Sequence, residues 1–126
     1  MDEYLKLVQE FHEIFEVGVG ENFKEKLPDE IIKLRHRLME EENNEYLEAA
    51  SKGDYVEVAD ALGDKLYVLM GTIVQHGMQE VIGDVFREIH RSNMSKLGID
   101  GKPVYRNDGK VIKGPNYTKP NIKSVL

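Results

Sequence analysis

The sequence predicts an all-α fold: an antiparallel four-helix bundle-like domain followed by a C-terminal irregular loop or short hairpin. Three observations lead there. Apolar residues recur at steps of three and four through four separate stretches. Glycine or proline stands at the ends of those stretches. From residue 97 onward, glycines and prolines are too dense for another helix. At 126 residues the chain suits one domain with its own core, residues 1–126.

The first helix, about 3–17, sets Leu5, Val8, Phe11 and Phe15 on one face with Glu10, Glu13 and Glu16 on others, and should end near Gly18 and Gly20. A polar connection runs to Leu27. Pro28, Asp29 and Glu30 then open the second helix, about 28–51, because proline presets φ and acids suit the positive helix end. Gly53 is a natural C-terminal cap, and Asp54 with Glu57 forms a capping box for the third helix, about 54–76, stopped at Gly77. The fourth, about 79–96, is built on Val81, Val85, Phe86 and Ile89, with Gly98 as its terminator. In the basic C-terminal loop, 97–126, Val104-Tyr105-Arg106 and Lys110-Val111-Ile112 flank Asn107-Asp108-Gly109, a turn signal between two very short strands.

Charged residues make up 32% of the chain and hydrophobic ones 40%, a globular composition. The longest apolar stretch, Leu66 to Val74, is too short for a membrane span, so no membrane partner is expected. The acidic start, Met1-Asp2-Glu3, and the absence of cysteine favour a cytoplasmic location. Residues 1–86 hold 8 Lys/Arg against 20 Asp/Glu, whereas residues 87–126 hold 9 against 3. An acidic body attracts divalent cations and a basic last third attracts phosphates, although a solvated surface with a basic tail explains the same imbalance.

The acids are placed where core residues belong. Steps of three and four along the second helix give Ile31, Leu34, Leu38, Glu42, Glu45 and Ala49, and along the third Glu57, Asp60 and Asp64 continue into Tyr67, Gly71 and Val74. Buried carboxylates without a counter-charge would take up protons, so a cation is required. Lys33, Arg35, Arg37 and Lys65 are read as lying off these stripes. That leaves a hard divalent ion, Mg2+ or Mn2+, held by Glu42, Glu45, Asp60 and Asp64. A solvated acidic patch on a differently phased helix is the alternative. Glu57 is explained by the capping box alone. Glu41, rotated about 100° from Glu42, either faces solvent or serves catalysis by holding the attacking water. A di-iron bundle is disfavoured because His12, His36, His76 and His90 do not follow an acid in a Glu-x-x-His pattern.

Glu41-Glu42-Asn43-Asn44-Glu45 and Asp60-Ala61-Leu62-Gly63-Asp64 resemble the EExxE and ExxD signatures of the all-α nucleotide pyrophosphohydrolases, the MazG-like, dimeric dUTPase-like and phosphoribosyl-ATP pyrophosphohydrolase-like enzymes. The likeness continues through Leu66 to Thr72, through RSNMSK (91–96) and through DGKVIKGPNY (108–117). The resemblance implies Mg2+-dependent hydrolysis of a nucleoside or deoxynucleoside triphosphate between its α- and β-phosphates, giving the monophosphate and pyrophosphate, with two or more Mg2+ held by the acids. It matches Glu42, Glu45 and Asp64 to metal ligands and Glu41 to the additional glutamate. It also implies that Asn93, Lys96, Lys110 and Lys113 meet the nucleotide and its phosphates. Tyr105 or Tyr117 could stack on a base or pack on its own scaffold. The pattern departs at Ala61, where the ExxD glutamate is missing; Asp60 is expected to substitute, with Glu57 as the fallback. A homodimer or dimer of dimers is expected. Two other readings compete: a non-catalytic metal-binding bundle acting as an interaction module, and nucleic-acid binding through the basic third. The latter is disfavoured by that segment's two aromatics and the acidic body, so no nucleic-acid partner is expected.

Overall fold

Four helices form where the apolar spacing puts them, with their ends shifted by one to three residues: α1 (Asp2–Ile14), α2 (Asp29–Lys52), α3 (Tyr55–Gln75) and α4 (Ile82–Met94). The computed structural model describes residues 2–126. Two-residue strands β1 (Val104–Tyr105) and β2 (Val111–Ile112) and a closing 3-10 turn, Ile122–Val125, complete an all-α, bundle-like architecture. The chain forms two compact units, Met1–Gln79 and Glu80–Leu126.

In the first unit, Arg35 on α2 reaches Val68 and Thr72 on α3, and Asn43 accepts from Lys65, so numbers rise on one helix as they fall on the other. α2 and α3 are therefore antiparallel. The two-residue corner between them is made by Gly53 at φ +69° and by Asp54, whose carboxylate accepts from the N–H groups of Val56 and Glu57 at 3.0 and 3.1 Å. Only this half of the expected capping box forms among the described residues, which leaves the Glu57 side chain free of a capping duty. α1 runs parallel to α3: Tyr4 and Leu7 share a groove with Gly63 and Leu66, and the Phe11 ring meets Tyr67 edge-on at 5.8 Å. Leu5, Val8, Ala49, Ala61, Met70 and Val74 form the buried core.

Three sequence expectations are corrected here. The first helix ends before Gly18, because the chain turns left-handed at Glu16 (φ +54°) with Val17 N–H bonded to His12 C=O at 2.9 Å, a Schellman closure made without glycine. Tyr67 is 42% exposed rather than buried, since its partner Phe11 covers only one side of the ring. Arg35 lies inside the α2–α3 interface, not off it, at 6% exposure. Its Nε donates to Thr72 Oγ1 at 3.1 Å and its Nη2 to the Val68 carbonyl at 2.8 Å. Gly71 leaves the space: a Cβ there would come 2.6 Å from Arg35 Nη2 and 2.7 Å from His12 Nε2.

In the second unit, β1 and β2 pair antiparallel as Val104↔Ile112 and Tyr105↔Val111 around Gly109 at φ +86°, the expected hairpin. The closing segment is tied to α4. Arg91 pairs with Glu88 through two bonds of 2.7 and 2.9 Å and also donates to Thr118 Oγ1, while Glu88 accepts from the Asn121 N–H at 2.8 Å. Those bonds hold Glu88 down at about 2, the Arg91 contact being the larger cause and the Asn121 N–H the next.

Candidate metal centre

Glu42 and Glu45 stand three residues apart on α2, so both project to one side, and the antiparallel run of α3 brings Asp64 opposite them. One oxygen from each of the three carboxylates lies within 4.8 Å of the others. Glu45 and Asp64 are exposed and can adjust their rotamers; Glu42 is half-buried. Its Oε2 is fully buried and has no hydrogen-bond partner among the described residues. Burial pushes the Glu42 carboxyl above its ordinary range, and the negative charges of Glu45, Asp64 and Glu41 push it further.

An orphaned buried carboxylate oxygen facing two more acids is costly unless a cation completes the set. Arg35 does not supply it, because it sits two helical turns before Glu42 with its guanidinium turned to the Val68 carbonyl and the Thr72 hydroxyl. The nearest lysine on the facing helix, Lys65, donates to Asn43 at 2.8 Å. The donor set is all oxygen, and oxygens within 4.8 Å of one another on two exposed and one half-buried side chain can close on a hard cation by side-chain rotation. The residues present therefore fit Mg2+ or Mn2+.

Asp60 is not in this trio. With Glu57 it lines an adjoining groove of about 230 Å3, which Glu45, Glu48 and Lys52 also border and whose floor is Ala49 and Ala61. Glu45 thus faces both places. Ala61, where a glutamate was expected, is 4% exposed against α2. Glu41 is exposed, one position around the helix from Glu42.

A family model for phosphoribosyl-ATP pyrophosphohydrolase matches residues 8–93, well over half of the chain. The chain belongs to the phosphoribosyl-ATP pyrophosphohydrolase family. No curated protein matches it. Membership makes it a nucleotide pyrophosphohydrolase in general terms, and the acid trio lies within the matched span. Asn93, exposed in the last turn of α4, is the final matched residue, so Lys96, Lys110 and Lys113 lie beyond the family match. In the second unit, the Lys96 carbonyl accepts from the Gly114 N–H at 2.8 Å, which docks the loop on the end of α4. Lys110 follows the hairpin turn, its N–H donating to Asp108. Lys113 places its ammonium 4.6 Å from the centre of the Tyr117 ring, so this tyrosine packs on its own loop.

Sequence reasoning missed Arg35 and Lys52. Gly71, on the acids' own stripe two turns after Asp64, and Thr72 beside it were the signal for Arg35: a gap and a hydroxyl facing the position a long polar side chain could fill. Lys52, four residues after Glu48 and seven after Glu45, follows the same helical steps as the acids.

Proposed function

We propose that this chain hydrolyses a nucleoside or deoxynucleoside triphosphate at the α–β phosphoanhydride bond, releasing the monophosphate and pyrophosphate, with Mg2+ or Mn2+ held by Glu42, Glu45 and Asp64. The observation that carries this is the buried, partnerless Glu42 Oε2 within the acid trio. Asp60, which lines the groove that Glu45 borders, supports that same ion from beyond the trio. Glu42, Glu45 and Asp64 would hold a divalent ion there, which would supply neutralisation of the trio and polarisation of phosphate oxygens.

In this reading Glu41, exposed and adjacent to Glu42, accepts a proton from the attacking water. Asn93, Lys96, Lys110 and Lys113 bind nucleotide and phosphates, drawing on the basic last third of the chain. The enzyme works in the cytoplasm as a homodimer or dimer of dimers. Support for association is the apolar groove between α1 and α3, where Tyr4 and Leu7 are each more than half exposed beside Leu66 and Tyr67.

The test is pyrophosphate release from a panel of NTPs and dNTPs with Mg2+. Release from at least one, abolished by Glu42→Gln with Glu45→Gln, is the expected result. Divalent-dependent thermal stabilisation with no turnover of any nucleotide would instead establish the non-catalytic module, the reading that Ala61 favours.

A further inference from the structure

The groove beside the acid trio has an unusual charge inventory. Glu45, Glu48, Glu57 and Asp60 line it, and Lys52 is the one cation among its lining residues. Its floor is Ala49 and Ala61, both 4% exposed, so nothing on the floor can bind an ion. Position 61 is the one from which a carboxylate would rise between Glu45 and Glu57, since 57, 61 and 64 are steps of four and three along α3. Here it ends at a methyl group. The Lys52 ammonium, meanwhile, lies 3.2 Å from Glu48 Oε1.

We infer that Lys52 supplies in this groove the positive charge that a second ligated cation would otherwise bring, so that each chain holds one divalent ion, at Glu42, Glu45 and Asp64. This rests on the metal-dependent reading above and refines it. Four carboxylates around one groove repel one another, and either a divalent ion or a basic side chain relieves them. A divalent ion there would draw on Glu45, Glu57 and Asp60 without a carboxylate at 61 and would have to displace an ammonium tethered to the groove. Lys52 is spared desolvation because it is largely exposed, and Glu48, then Glu57 and Asp54, hold it firmly in its charged form. It sits in the last turn of α2, where the helix end also favours a cation. A triphosphate that meets the ion at the trio would thus meet an ammonium, not a second metal, on the Glu45 side.

Mn2+ alone is the probe, counted per chain by the loss of its free EPR signal on titration into the full-length protein. The wild type should bind one ion. Lys52→Met should admit a second, weaker one, and Lys52→Met with Ala61→Glu should hold two with the second at least tenfold tighter than in the single variant. Circular dichroism melts of each variant confirm that the folded protein is being titrated. Two ions in the wild type, or one ion in both variants, overturns the role given to Lys52 while leaving the metal centre standing. No Mn2+ binding by the wild type overturns both.

Discussion

Replacing Glu42 by glutamine should stabilise the metal-free protein while removing its response to metal. At the 4.8 Å limit between the trio's ligand atoms, two unit charges repel by about 0.9 kcal/mol even in a water-like dielectric. Glu42 faces two such partners, so neutralising it relieves roughly 2 kcal/mol, a floor because its buried oxygen sits in a less polarisable medium. With an unfolding entropy of roughly 2.1 cal/mol/K per residue over 126 residues, that corresponds to a Tm about 7 °C higher. The pH dependence has a definite sign. Glu42 is raised above its ordinary 4.5 in the folded chain, so its favourable contribution is complete below about pH 4.5 and is lost as pH rises through the folded value. The advantage of Glu42→Gln should therefore appear near neutral pH and shrink on acidification. Thermal melts in EDTA and in millimolar Mg2+, for both proteins across pH 4 to 8, read all of this (the concentrations and range being of that order). A variant less stable than wild type in EDTA at neutral pH, or one that Mg2+ stabilises as strongly as wild type, would refute the reasoning.

Three further outcomes follow from the packing. Gly71→Ala should destabilise by about 2 kcal/mol even though alanine is the better helix former, because the added Cβ displaces Arg35 and His12, each anchored by hydrogen bonds; urea denaturation decides the sign. Glu16→Gly should raise stability by roughly 0.5 to 1 kcal/mol, since glycine occupies the left-handed closure of α1 without strain; a lower denaturation midpoint would show that the Glu16 side chain contributes more than its backbone costs. Glu88 is held at about 2 against an ordinary 4.5, so its tie to Arg91 and Asn121 is present above about pH 4.5 and lost as pH falls toward 2. Protection of the Asn121 amide against hydrogen exchange, relative to its intrinsic rate at each pH, should fall over that interval, and Glu88→Gln should show little protection at either end of it.

Apolar periodicity carried the helices because each buries one face against a neighbour, and that constraint writes itself into spacing. Helix ends are less legible: Glu16 closes α1 in a backbone conformation that glycine usually takes, and a reader of residue types looks past it to Gly18. The acids of the trio were readable because Glu42, Glu45 and Asp64 interrupt stripes that should be apolar, a local conflict that a purely structural protein has no reason to keep. Arg35 was not, although it interrupts the same interface. Arg35, four residues after Ile31 and seven before Glu42, shares their side of α2, and a long guanidinium can be buried there provided the facing helix offers a hole and acceptors, and those are Gly71, the Val68 carbonyl and Thr72. Only one of the three is a feature a sequence displays as unusual. The two burials also differ in kind. Arg35 is satisfied by neutral acceptors within the fold, so it holds α2 to α3 and asks for nothing from outside. Glu42 is left with an oxygen that no donor among the described residues reaches, and its neighbours add negative charge instead of removing it. A fold that satisfies one buried charge and leaves another open, on the same pair of helices, is the reason the metal site is proposed at the open one.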